Sequence, residues 1–306
     1  MKNLKDSYIK SSGQAHPLLG YGLALAATAI WSFNFIVARG LSDSVPPVTL
    51  AFLRWSTAAV VLLPFGIRPF FRDYNVIRKN LGYLSLTAFL LVTVFNTLIY
   101  IAAHTSKAVT LSLIAASSPV FIVFFAYLFL KAPLGIPKII GLVAATVGVA
   151  LLVTKGDFSQ VLEHGVSDGD AWMILAASIF GAYSILVRFK PKDLGAVAFL
   201  CSTLLLGLLF LVPWLLWELR AVDKLSLSSG AIAAIIYLGV GPSLVAFLCW
   251  NKAIMLIGPV HSAFVYYSLP IFSAIEGAVI LGEPIHFIDL FSGALIMMGV
   301  IIATRE

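Results

Sequence analysis

One acidic residue stands deep in apolar sequence: Glu276, inside the run 258–281. A charge near the centre of a membrane helix costs about 2.5–3.5 kcal/mol on insertion scales, so such residues are rare and mark ion or proton pathways. A carboxyl group at that depth can take up and release a proton. Glu276 is therefore the candidate for proton coupling, with His261 or His104 as the group that would share the proton. The plain alternative is a packing hydrogen bond or a place at the lipid edge.

Neutral polar residues recur on single helix faces. Thr93, Asn96, Tyr100 and His104 follow one another at steps of three and four, as do Ala27, Trp31, Asn34 and Ala38; residues so spaced share one side of a helix. Ser262, Tyr266, Ser273 and Glu276 make a third set, and Ser243, Phe247 and Trp250, with the adjacent Asn251, a fourth. Such faces avoid lipid. They either hydrogen-bond a neighbouring helix, typically for under about 1 kcal/mol each, or line a cavity. A single serine or threonine fits the first use; for Asn34, Asn96 and Tyr100 the spacing leaves both uses open. Arg54 carries five donors on a charged guanidinium and is read as structural, satisfying helix ends or a carboxylate such as Asp43.

Residue types that bend or break helices also recur within the apolar runs. Pro119 and Pro270 lack a backbone donor and crowd the preceding turn, and Gly239, Gly241 and Pro242 interrupt another run in the same way. Pro119, Pro270, Gly241 and Pro242 are the expected hinges, where freed carbonyls become ligands if they line a cavity. Glycines 141, 148, 293 and 299, with Ala145, read as close-packing positions that join the two halves or two protomers.

The elements that carry these residues are set by composition. The chain is 60% hydrophobic and 11% charged, against roughly 45–50% and 25% for a soluble domain. Apolar runs of about 20 residues, the thickness of a hydrocarbon core, fall at 18–38, 47–66, 81–103, 107–130, 135–154, 171–189, 194–217, 230–251, 258–281 and 285–304. Only connectors remain, which leaves no room for a soluble catalytic or nucleic-acid-binding module. Residues 1–17 precede a run too long for a signal-peptide core and read as a cytoplasmic tail. Cys201 and Cys249 lie in apolar runs without metal-ligand or disulfide spacing. The phosphate-binding pattern GxxxxGK[ST] does not occur, and neither a metal nor another cofactor is expected.

With the N-terminus inside, most of the 20 Lys and Arg residues fall on the cytoplasmic side, while Asp157, Glu163, Asp168 and Asp170 gather in one opposite loop. That bias puts both termini in the cytoplasm. The net charge of +6 is then explained by topology, not by nucleic acid.

The ten runs divide into two similar sets of five. SSPVF (117–121) answers SLPIF (268–272), and AIWSFNFIVAR (29–39) lies over SIFGAYSILVR (178–188), pairing Trp31 with Phe180; LLVTK (151–155) lies over IIATR (301–305). Five is odd, so the second copy enters from the opposite face. The repeats are 18–155 and 171–306, joined by an external loop at 156–170 and related by a pseudo-two-fold axis in the membrane plane. The expected fold is an all-α polytopic membrane protein, ten transmembrane helices as two inverted five-helix repeats.

WSFNF in the first run, Leu53-Arg54-Trp55 in the second, the two proline motifs, and LGEP (281–284) before a glycine-bearing last run resemble the drug/metabolite transporter superfamily, in its ten-helix EamA-type branch. The resemblance covers nearly the whole chain. Lys131-Ala132-Pro133 departs from it where the second half has Gly282-Glu283-Pro284, so a structural role for that acid rests on Glu283 alone. The resemblance implies a central site between the first, third, fourth, sixth, eighth and ninth helices. Trp31, Asn34, Asn96, Tyr100 and Ser117 are its candidates in the first half; Phe180, Tyr183, Trp250, Asn251 and Tyr266 are those in the second. It implies a secondary transporter of small organic solutes in the cell's inner membrane, exporting amino acids or related metabolites. The oligomeric state, monomer or homodimer, stays open. A passive channel or lipid scramblase is the alternative. An intramembrane serine hydrolase built on Gly241-Pro242-Ser243 and His261 is weaker, because the motif's second glycine is absent and a proline just before the nucleophile has no evident use.

Overall fold

A computed structural model describes residues 17–41, 44–106, 111, 114–154, 156–159, 167–221, 227–281 and 286–304, and these form helices and short connectors without a strand. Lipid offers no hydrogen bonds to a backbone, so a spanning segment must satisfy its own, and a helix does. In chain order the helices are α1 (Pro17–Ser32), α2 (Asn34–Leu41), α3 (Pro47–Arg72), α4 (Tyr74–Lys79), α5 (Leu81–Ala88), α6 (Asn96–Thr105), α7 (Ser118–Leu130) and α8 (Ile136–Thr154). The second half holds α9 (Asp168–Arg188), α10 (Ala196–Glu218), α11 (Ser229–Leu238), α12 (Ala246–Tyr266), α13 (Leu269–Leu281) and α14 (Phe287–Thr304). Wider π-helical turns, Phe89–Phe95 and Gly239–Val245, join α5 to α6 and α11 to α12.

Among the described residues, seven helical stretches are long and apolar enough to cross a membrane: Pro47–Arg72, Leu81–Thr105, Ile136–Thr154, Asp168–Arg188, Ala196–Ala221, Ser229–Tyr266 and Phe287–Thr304. Pro17–Ser32 and Ser118–Leu130 are shorter apolar helices. Phe124, Tyr127, Phe129, Val143, Phe291 and Met298 on α7, α8 and α14 point outward, as they would in a protein solvated by lipid rather than water.

Local chemistry marks the helix ends. Ser167 caps α9 reciprocally with Asp170, and Ser228 caps α11 through Ala231 N–H. The long stretch Ser229–Tyr266 is broken at Gly258, whose φ of 81° suits a residue without Cβ, and Pro259 follows it. Pro119 and Pro270 differ from expectation in kind. Each is the second residue of a new helix, α7 or α13, after a two-residue break. There a missing N–H leaves no bond unmade, because the first-turn donors have no intrahelical partner, so the prolines start helices rather than kink them.

The two halves pack on each other reciprocally. α1 lies along α12, α9 lies along α6 and α7, α3 crosses α10, and α8 lies along α14. The last pair is close-packed: a Cβ at Gly141 would come 2.5 Å from Gly299 O, and one at Gly148 3.0 Å from Ile296 N. Gly299 meets Ala145 in the same way, but a Cβ at Gly293 would touch nothing within 4 Å. Gly293 thus does not join the halves; the other three glycines do.

α3 and α10 also clasp each other at both ends. Glu218, ending α10, accepts from Val48 N (2.9 Å), Thr49 N (2.7 Å) and Thr49 Oγ1 (2.7 Å) at the start of α3. Asp73, following α3, accepts from Gly195 N (2.9 Å) at the start of α10 and from Arg72 Nε (2.8 Å). Each acid supplies what a helix N-terminus lacks, an acceptor and a negative charge.

Candidate functional site

The expected site residues fall into three groups. Trp31, Phe180, Tyr183, Trp250 and Tyr266 are all buried and share one aromatic cluster. Trp31 touches Phe180 (centroids 5.5 Å apart), Trp250 (5.4 Å), Tyr266 (6.1 Å) and Phe247 (5.0 Å). Phe180 stacks on Phe95 at 5.2 Å and leans on Trp250 and Tyr266, each at 5.5 Å. Trp31 comes from a place where the chain breaks. It precedes the break between α1 and α2 at Phe33, and its indole Nε1 donates to Pro242 O (2.9 Å) inside the second π turn. Tyr183 donates to Asn251 Oδ1 (2.7 Å), which ties α9 to α12 at the cluster's edge.

The second group is polar. Arg54, 2% exposed, donates from Nη1 to Asn34 Oδ1 (3.0 Å) and Tyr100 OH (2.8 Å), and from Nε to Ser243 Oγ. Ser243 in turn donates to Leu238 O (2.7 Å), one π turn back. Asn34 and Tyr100 therefore meet through an arginine read from sequence as structural. Asp43, its suggested partner, lies outside the described residues, as do Glu283 and residues 1–16 of the tail. With its hydroxyl engaged on both sides, Ser243 is held as a structural ligand, not as a nucleophile awaiting a base.

Glu276 forms the third group. Its Oε1 lies 2.6 Å from Ser32 Oγ, and that hydroxyl is also 2.6 Å from Ala29 O. Oε2 is buried with no hydrogen-bond partner among the described residues. Tyr237, which donates to Ile30 O (2.9 Å), is within electrostatic reach of both Glu276 and Arg54. The histidines rest on carbonyls one turn back on their own helices, His104 on Tyr100 O (2.8 Å) and His261 on Ile257 O (3.0 Å); the ring of His261 meets Tyr21 edge-on at 6.3 Å.

Two expected residues serve the backbone instead of meeting these groups by hydrogen bond. Asn96 donates to Leu91 O (3.1 Å), across the first π turn, and Ser117 to Ile114 O (2.6 Å), at the break before α7. Gly241 and Pro242 lie inside the second π turn. Sequence reasoning left Ser32, Tyr237, Phe95 and Phe247 out of the site. Phe247 belonged to a noted polar stripe and Ser32 neighbours Trp31, so both carried a signal; Phe95 and Tyr237 did not.

The chain's first 18–154 and later 167–305 residues match the model of the EamA-like transporter family. The chain belongs to that family. Among similar proteins, a probable terminal-alkyne amino-acid exporter of Streptantibioticus cattleyicolor is 27% identical, covering 92% of this chain and 93% of its own length. Uncharacterized transporters of Archaeoglobus fulgidus (26%; 93% and 97%) and Bacillus subtilis (YyaM, 23%; 94% and 92%) cover as much. A crystal structure at 20% identity superposes with a TM-score of 0.73 over 93% of this chain and 97% of its own, and shares the fold. The aromatic faces of the cluster suit a planar or apolar group, and the ionisable groups of Arg54 and Glu276 suit polar ones.

Proposed function

We propose that this EamA-family protein is a secondary active transporter of small organic solutes that works by alternating access, exporting amino acids or related compounds across the inner membrane. One observation carries the reading. The aromatic cluster is assembled by matched elements of the two halves, and Trp31 and Phe180, which coincide when the halves are overlaid, touch each other. Residues related by a two-fold axis meet only near that axis, which is where a site reached from both sides must lie. Seven long helices, with α7, α13 and the broken α1–α2 pair, give ten crossings in two inverted sets of five, 18–155 and 171–306, with both termini cytoplasmic. The reciprocal packing and the two matched stretches of the family model support that count. Export of an amino acid is suggested by the S. cattleyicolor relative.

Proton coupling through Glu276 completes the reading. Ser32 has one hydroxyl hydrogen and two oxygen neighbours, Ala29 O and Glu276 Oε1, both at 2.6 Å. Two hydrogen bonds need two hydrogens, so the arrangement suits a protonated Glu276 that donates to Ser32. Purified protein in proteoliposomes, screened with radiolabelled amino acids and amines with and without an imposed pH gradient, tests both parts. Saturable uptake stimulated by counterflow separates a carrier from a channel or scramblase. If Glu276→Gln leaves gradient-driven transport and its pH dependence intact, proton coupling through this residue is wrong.

A further inference from the structure

Arg54 is a buried cation whose bonds all go to neutral oxygens. Asn34, Tyr100 and Ser243 hold Nη1 and Nε, and both hydrogens of Nη2 are left without an acceptor among the described residues. No acid among the described residues forms an ion pair with it. A guanidinium held at this depth is costly unless something offsets its charge. Beside it stands a second unused donor. Trp55 is fully buried and its Nε1 has no hydrogen-bond partner among the described residues; the Arg54 Cζ lies 5.4 Å from its ring centroid. An unpaired buried indole N–H costs roughly 1–3 kcal/mol. Two adjacent residues thus lack the same thing, a negatively charged acceptor with more than one oxygen.

The aromatic cluster begins at this point. The Trp55 ring lies 5.7 Å from Phe247, which lies 5.0 Å from Trp31. We propose that Arg54 and Trp55 form the seat for a carboxylate, and that the transported solute is a carboxylic acid whose aromatic or planar part lies along Phe247 and Trp31. The guanidinium edge and the indole N–H take the two oxygens, and Asn34, Tyr100 and Ser243 keep the fork in place without neutralising it. This rests on the transport reading above and names its substrate class.

Benzoate, benzamide and benzylamine present one ring with a negative, a neutral and a positive head. Binding to the full-length protein in detergent is read by thermal shift and by tryptophan fluorescence. Wild type is expected to bind benzoate and L-phenylalanine and to ignore benzamide and benzylamine at the same concentrations. Arg54→Gln is expected to weaken benzoate by about a hundredfold or more, and Trp55→Phe, which keeps the ring and removes only the N–H, by about tenfold. Arg54→Lys keeps the charge without the fork and falls between wild type and Arg54→Gln. The comparison on wild type stands even if Arg54→Gln does not fold. Benzamide binding as tightly as benzoate, indifference to all three probes, or full benzoate affinity in Trp55→Phe and Arg54→Lys together would overturn the proposal. Counterflow of neutral or cationic solutes alone would also overturn it while leaving the transport reading intact. Selective benzoate binding without any counterflow would support the carboxylate seat and sink the transport reading instead.

Discussion

The two π-helical turns occupy equivalent places in the two halves, yet their sequences, FLLVTVF and GVGPSLV, have almost nothing in common. What they share is a side chain that serves the carbonyl five residues back: Asn96 donates to Leu91 O and Ser243 to Leu238 O. They also share a partner type, since each packs on the α3 or α10 helix of the opposite half. The small residue sits on opposite sides of these two joints. In the first, Gly207 of α10 gives way to Val92 of the turn; in the second, Gly239 of the turn gives way to Thr57 and Arg54 O of α3. The chemistry parts company there. Among the described residues the first turn sends a single side-chain bond to α10, Thr93 Oγ1 to Gly207 O (3.2 Å), and is otherwise a packing joint. The second, with Pro242 O accepting Trp31 and Ser243 accepting Arg54, is a polar joint that binds the other half. Backbone shape is thus repeated where side-chain chemistry is not.

The sharpest way to break this comparison is to fill the two small-residue positions. A Cβ at Gly207 would overlap the Val92 side chain, and one at Gly239 would come 2.6 Å from Thr57 Cβ and 2.9 Å from Arg54 O. Gly207→Ala and Gly239→Ala should each cost about 1–3 kcal/mol through overpacking, seen as a lower melting temperature in detergent. Gly293→Ala, with open space around it, is the control and should melt with wild type. If Gly207→Ala melts with Gly293→Ala, the first joint is not close-packed and the symmetry of the two turns is superficial.

The clasps between α3 and α10 give a smaller effect with an expected inequality. Glu218 takes three hydrogen bonds from its neighbour's N-terminus and Asp73 takes one. Glu218→Gln should therefore destabilise more than Asp73→Asn, each within the roughly 0.5–2 kcal/mol of a lost helix cap. The Arg72 guanidinium, then the Gly195 N–H, hold the Asp73 carboxyl below the usual carboxylate range. A lowered folded value means that its contribution is present above an ordinary value of about 3.9 and is lost as pH falls through the folded one. Melting temperatures taken from pH 6 to pH 3 should show an acid-induced loss below about pH 4 that is smaller in Asp73→Asn. Arg72 is 71% exposed, so salt should screen its share and leave the Gly195 bond. Equal acid sensitivity in the two proteins would remove Asp73 from the account.

Much of this was legible in the sequence where the signal was local or repeated. The overlay that paired Trp31 with Phe180 anticipated residues that touch, and the glycines 141, 148 and 299 were close-packing positions. Gly293 was misread because spacing alone does not fix which side of a helix faces its partner. Ser292, Ile296, Gly299 and Ala303 make the buried face of α14, and Gly293 lies off it. The partners of Arg54 were out of reach for another reason: Ser243 is 189 residues away and Tyr100 46, and no periodicity links positions across a fold. The first π turn was equally hidden, since Phe89–Phe95 has neither proline nor glycine to announce a change of pitch, whereas Gly239, Gly241 and Pro242 marked the second.

The smallest effect separates the two joints most finely. Asn96 and Ser243 do the same service for a carbonyl five residues back, but only Ser243 also accepts from Arg54. Hydrogen bonds between buried groups in membrane proteins average about 0.6 kcal/mol, so Asn96→Val should lower the melting temperature only slightly. Ser243→Ala loses the same carbonyl bond and also leaves the Arg54 Nε without its acceptor, and a hydrogen bond from a charged donor is worth about 1.5–3 kcal/mol. The excess should vanish once the charge is gone: in an Arg54→Gln background, Ser243→Ala should cost no more than Asn96→Val does in wild type. A double-mutant cycle on melting temperature reads this directly. If the two serine measurements are equal, Ser243 supports only its own helix, and the second turn is a packing joint like the first.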